Sequence, residues 1–173
     1  MNRKPRPIFR YIFIAFIFVF FSSFSFTTIA QSKTVTRYIE KYSNLADSLS
    51  FEFGIPVSVI LGVAIVESSS GTSRNAKLLN NHFGIVGKNN LLKTKGVRTK
   101  YKQFSDGENS YISFCKLLSR RKFYAKLKGN SDYTVWVNAI SKSNYSEVPE
   151  IWKKAILYAI KNCKLSDRGV AQR

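Results

Sequence analysis

Residues 54–87 read GIPVSVILGVAIVESSSGTSRNAKLLNNHFGIVG, and their pattern decides the fold. From Ile55 to Val66 the run is almost wholly apolar. Pro56 suits the first turn of a helix, where its missing N–H costs nothing. A helix from there to about Ser68 is apolar nearly all round, so it is expected at the buried centre of a helical domain. At its end stands Glu67, the only acid between Glu52 and Asp106, followed at once by Ser68, Ser69, Ser70 and Gly71. A carboxyl at the tip of a buried helix suggests a general acid, because partial desolvation penalises the charged form and raises the pKa. The plainer reading is an exposed helix-end residue, since a perturbed carboxyl is only probabilistic evidence of function.

Outward from this core, residues 34–53 carry Val35, Tyr38, Ile39, Tyr42, Leu45, Ala46 and Leu49 at the three-and-four spacing of one apolar face. That predicts an amphipathic helix stopped by Gly54. A short helix is expected at 73–79, then an irregular turn at 80–87. In residues 93–104, Val97, Thr99, Tyr101 and Gln103 alternate with basic residues, which predicts a short hairpin strand. Ser105-x-x-Glu108 has the form of a capping box opening a helix to about Leu118. Further helices are expected at 121–127, 133–141 and 148–162.

Four pieces of the central stretch resemble the bacterial cell-wall N-acetylglucosaminidases of glycoside hydrolase family 73, the mannosyl-glycoprotein endo-β-N-acetylglucosaminidase-like domain. They are G-I-P-x-S-V-I-L at 54–61, A-I-x-E-S at 64–68, G-T-S at 71–73 and N-N-H-F-G-I at 80–85. Their order and spacing match as well, and the likeness continues more weakly to about Leu165. The resemblance implies an α+β, mainly α fold: a lysozyme-like helical domain with a small β-hairpin lobe. The domain would span residues 31–173.

By the same resemblance Glu67 takes the position of the catalytic acid. Tyr145, in S-K-S-N-Y-S, takes that of a late tyrosine facing the acid across the cleft; otherwise it packs the last helix. Asn80, Asn81, His82 and Phe83 match a cleft-floor motif able to bond sugar hydroxyls and pack a sugar face. His82 could equally hold only the turn, and Tyr101 and Phe104 could line the cleft or belong to the core. The chain departs from the pattern in two places. Ser68 to Ser70 stand where family members carry Gly and an aromatic. Residues 85–104, where the second carboxylate of a glycosidase pair would lie, contain no Asp or Glu. Asp106 and Glu108 follow, but helix capping and the helix dipole account for them without chemistry. The substrate's acetamido group as nucleophile, or a water held by hydroxyls and amides, would fill the gap.

The N-terminus carries a basic stretch (Arg3, Lys4, Arg6, Arg10), an apolar stretch from Tyr11 to Phe21, and Thr28-Ile29-Ala30 before Gln31. This is the pattern of a cleavable secretory signal over 1–30; the alternative is an uncleaved anchor, since about twenty apolar residues can span a bilayer. Removing those four cations from the 28 Lys and Arg leaves 24 against 10 acids, a net charge of +14. Such a field favours anionic partners. Secretion argues against nucleic acid and points to an anionic wall or membrane surface. Cys115 and Cys163 form either one disulfide or two buried thiols. With one His and no His at motif spacing from either Cys, a Cys nucleophile or zinc site is disfavoured, and no metal or cofactor is expected.

The leading expectation is a monomeric secreted or periplasmic, wall-associated hydrolase acting on peptidoglycan glycan strands at the β-1,4 bond after N-acetylglucosamine. A lytic transglycosylase needs no water-activating base and also fits. So does a silent wall-binding domain that has lost hydrolysis.

Overall fold

A computed structural model describes residues 33–171. The expected signal at 1–30 lies outside them. The helices in chain order are α1 at 33–53, α2 Val57–Ser68, α3 Arg74–Leu79, α4 Leu91–Lys95, α5 Gly107–Ser119, α6 Tyr124–Leu127, α7 Tyr133–Ser141 and α8 Pro149–Asn162. Every residue of α2 from Val57 to Ile65 is buried, as an almost wholly apolar run requires. It packs against α7 and α8. Gly62 permits the α8 contact: a Cβ there would sit 2.6 Å from Ile160 Cγ1.

The two ends of α2 are finished differently. Pro56 offers no side-chain cap. Instead the Val57 and Ser58 N–H groups donate to the Gly169 and Arg168 carbonyls at 2.9 and 3.0 Å. Arg168 in turn grips α1 through Asp47 and Ser43, so the C-terminal segment supplies the missing cap. At the other end Ser69 and Ser70 both take left-handed backbone, φ 49° and 53°. The Ser68 hydroxyl oxygen accepts the Gly71 N–H at 2.8 Å, and the helix stops one residue after Glu67.

Several expectations are corrected. No strand forms among the described residues. In place of a β-hairpin lobe there is one isolated antiparallel bridge, Val86 to Tyr101, flanked by Gly87 N–H to Lys100 O and Lys102 N–H to Ile85 O. Helix α4 interrupts the loop, with Leu91 buried and Gly96 left-handed behind it. The Asn89 amide donates to the Thr99 and Tyr101 carbonyls, occupying acceptors that a second strand would use. The cap of α5 is Asp106, not Ser105: its side chain accepts the Asn109 N–H at 2.8 Å. Helix α6 is only four residues long, and α8 begins at Pro149 with Val148 as its cap residue. Cys115 and Cys163 are both free, the first buried in the core, which corrects the disulfide alternative.

Candidate active site

Glu67 is half-buried. Burial raises its carboxyl pKa, and the indole N–H of Trp152 on α8, donating to Oε1 at 2.6 Å, partly offsets that rise. Because an indole N–H can only donate, Oε1 takes the carbonyl role when the group is protonated. The acidic hydrogen is then on Oε2. That oxygen faces Gly84, where a Cβ would lie 3.2 Å from it and where φ is +65°. Gly84 is therefore doubly required, for its backbone and for the space above the proton.

The turn at 80–84 is held from several directions. Asn81 is 0% exposed. Its amide N donates to Ile85 O and Lys102 O, both at 2.8 Å, and its Oδ1 accepts the N–H groups of Phe83 and Ile85. Every polar atom of that side chain is committed to the turn. Phe83 is 1% exposed and stacks on Phe114 with ring centroids 4.2 Å apart. Both residues were expected to touch sugar; instead they fix where Gly84 stands.

Tyr145 donates its hydroxyl hydrogen to Phe83 O at 2.7 Å, and its ring lies 5.3 Å from that of Trp152. Its hydroxyl pKa is pushed well above the ordinary value by burial and then by the Glu67 charge. Tyr145 is thus neutral, close to Glu67, and spends its one proton on the turn. Tyr101 is half-buried, with ring carbon Cε1 3.9 Å from where a Gly84 Cβ would be. It borders the slot above Glu67. Phe104 is buried.

Asn80 and His82 point elsewhere. The Asn80 amide donates to the Phe104 and Ser105 carbonyls. His82 is 6% exposed, with Nδ1 at 2.8 Å from the Tyr38 hydroxyl and Nε2 at 3.3 Å from that of Tyr42. Tyr38 also receives the Tyr111 hydroxyl at 3.0 Å, so its own hydrogen goes to Nδ1 and the ring proton is on Nε2. Burial, then the Lys41 charge, push the His82 pKa down to about 4.

Asp106 is exposed and bound by Asn109 and Ser105, which hold its carboxyl below the usual range. It caps the helix end that packs on Tyr42 and His82, where a Gly107 Cβ would meet both. Trp152 and Gly84 are absent from the sequence-derived site. The signal for Trp152 was its place on the apolar stripe of α8, since a buried indole N–H needs an acceptor; that for Gly84 was its place in the N-N-H-F-G-I motif.

The glucosaminidase family model, mannosyl-glycoprotein endo-beta-N-acetylglucosaminidase, matches residues 43–165. The chain belongs to that family and is a glycoside hydrolase. The fold is shared with solved structures of low identity. The catalytic domain of the autolysin Auto from Listeria monocytogenes is 20% identical, with a TM-score of 0.63 over 78% of this chain and 87% of that one. A glycoside hydrolase domain of FlgJ from Salmonella typhimurium is 19% identical, with a TM-score of 0.60 over 76% and 98%. A peptidoglycan hydrolase from Sphingomonas sp. A1 is 18% identical, with a TM-score of 0.60 over 79% and 97%. No curated protein sequence matches the chain.

Proposed function

We propose that the protein is an exported peptidoglycan hydrolase that cleaves the β-1,4 bond after N-acetylglucosamine, with Glu67 as general acid. The observation that carries this is the pair of environments on one carboxyl: Oε1 fixed by the Trp152 indole at 2.6 Å, Oε2 beside Gly84 with no hydrogen-bond donor on it among the described residues. Partial burial keeps the acid protonated further up the pH scale, and the indole aims it. A proton delivered from Oε2 to the glycosidic oxygen is the first half of glycoside cleavage. The substrate class is supported by the family and by fold relatives that include an autolysin and a peptidoglycan hydrolase.

The second half falls to the substrate's acetamido group or to a held water, since Asp106 is spent on its helix cap. Tyr145 serves by holding the 83–84 turn and by offering its remaining lone pairs to a water. Tyr101 packs a sugar ring beside the slot. Export rests on the N-terminal pattern and the net charge of +14 on residues 31–173, 24 Lys and Arg against 10 Asp and Glu. Among the described residues no helix is long and apolar enough to cross a membrane.

Mass analysis of fragments released from purified peptidoglycan tests the reading. Reducing N-acetylglucosamine ends are expected. Anhydro ends would instead establish a lytic transglycosylase, which the lack of a carboxylate partner on Glu67 among the described residues favours as the second reading. No release would leave a wall-binding domain. Glu67→Gln is expected to lower release by about 100-fold to 10,000-fold, the usual cost of losing a positioned acid.

A further inference from the structure

A cavity of about 400 Å³ opens between α1 and the segment from Ser70 to His82, and Glu67 does not line it. Its walls carry Arg37 and Lys41 from α1 and Lys77 from α3; its floor is Tyr38, Tyr42 and His82. No Asp or Glu lines it, and none of the three cations has a carboxylate within ion-pair distance among the described residues. Three like charges around one hollow repel one another and are stabilised by an anion between them. The floor adds the Tyr42 hydroxyl, which accepts the His82 Nε2–H and keeps its own hydrogen for an oxyanion, while the His82 ring, neutral at pH 7, adds no charge.

The arrangement suits separated carboxylates better than a single phosphate. Arg37 and Lys41 stand one helical turn apart, about 5–6 Å, and Lys77 comes from a different helix. The Ser70 and Gly71 N–H groups, which could form a phosphate-binding nest, are already spent on Ile65 O and Ser68 Oγ. The volume is that of a short peptide segment. The cavity also shares its supports with the active site. Ser68 bonds toward Tyr38 while Glu67, its neighbour, bonds toward Trp152. The one turn at 80–84 sends His82 to the cavity and Gly84 to Glu67.

We propose that this cavity binds an acidic peptide through its carboxylates, and that in the substrate class inferred above this peptide is the stem joined to the glycan strand. The inference rests on that reading for the identity of the peptide. A stem held here is tethered to the strand in the cleft, so its binding acts intramolecularly and lowers KM.

The test combines kinetics and binding. In the triple variant Arg37→Gln, Lys41→Gln, Lys77→Gln, all exposed positions, KM for peptide-bearing strands is expected to rise about tenfold with kcat unchanged. That is three exposed charge pairs at about twofold each. Strands stripped of their peptides should be cleaved alike by variant and parent. Equal KM on peptide-bearing strands, or an equal loss on both substrates, would overturn the proposal. Independently, a free synthetic acidic tripeptide is titrated into the parent protein while the chain's single imidazole is followed by NMR. Binding should raise the His82 pKa from about 4, and the same tripeptide with its carboxylates amidated should not. A matching response to inorganic phosphate at equal concentration would reduce the cavity to a general anion site and refute the peptide assignment. If the parent cleaves neither strand, the glycosidase reading fails, while the NMR titration still judges the cavity.

Discussion

Replacing Trp152 with Phe removes the one donor that Glu67 Oε1 has among the described residues, while keeping an aromatic ring against Tyr145. The bond is short, 2.6 Å, and it stabilises the carboxylate more than the acid. Burial acts in the opposite sense and is the larger effect. Deleting the indole leaves burial unopposed, so the Glu67 pKa must rise further. A hydrogen bond to a charged group contributes about 1.5–3 kcal/mol. Part of that is retained by the neutral acid, leaving about 1.4 kcal/mol of difference, or about one pH unit. A general acid works only while protonated, so activity falls as pH rises through its pKa. The basic limb of kcat/KM against pH should therefore move up by about one unit in Trp152→Phe. The plateau should drop about tenfold, because the carboxyl has lost its aim. Release of reducing ends from pH 4 to 9, on protein whose fold is verified by circular dichroism, measures both. A basic limb that stays put or moves to lower pH would show that the indole does not tune Glu67, and the assignment of the acidic proton to Oε2 would fall with it.

Gly84→Ala should cost about 1–2 kcal/mol for a side chain at φ +65° and should lower kcat by more than tenfold, since its Cβ stands 3.2 Å from Oε2; a folded variant with parental kcat refutes the slot. Asp106→Asn and Glu108→Gln should keep most activity and lower Tm only modestly, because both belong to the start of α5. A thousandfold loss in Asp106→Asn with the fold intact would restore a two-carboxylate mechanism. His82 titrates near 6.5 when unfolded and about 4 when folded, so its contribution is complete above pH 6.5 and is lost as pH falls towards 4. Urea unfolding should show a loss of up to about 2 kcal/mol between pH 7 and 5, and an imidazole NMR titration midpoint near 6.5 would refute it.

Much of this was readable in the residues because period and polarity leave few choices. The stretch from Ile55 to Val66 can only be buried, and it is buried from Ile55 to Ile65, with Val66 partly so at its end. Tyr38, Tyr42, Ala46 and Leu49 repeat with the helical period and face the core. The hairpin was misread because alternation at Val97, Thr99 and Tyr101 is a two-fold signal, and it says nothing about whether a partner strand has free carbonyls. The Asn89 side chain takes the Thr99 and Tyr101 carbonyls instead. The cap of α5 shifted by one residue because Ser105 and Asp106 are both good caps, and only the backbone angle at Asp106 decides between them. Asn81 and Phe83 were assigned to sugar because amides and aromatics can serve either a ligand or a turn. Burial separates the two uses, and burial of a loop depends on helices far away in the chain. Trp152 lies 85 residues from Glu67, a distance over which local pattern carries no information.

The strained end of α2 ties these observations together. Two consecutive non-glycine residues in left-handed backbone cost roughly 1–2 kcal/mol each, and serines are not the residues that ordinarily relieve it. The chain recovers part of this through Ser70 N–H to Ile65 O and Gly71 N–H to Ser68 Oγ. What the strain achieves is position. Ending at Ser68 leaves Glu67 half-buried at the helix end, where the Trp152 indole reaches one of its oxygens. The same stop turns the chain under Tyr38, where a Cβ at Gly71 would lie 3.1 Å from the tyrosine ring. That close approach closes one wall of the cationic cavity. The acid and the cavity are therefore set by one local event in the backbone, and a change that relaxes this turn should disturb both together.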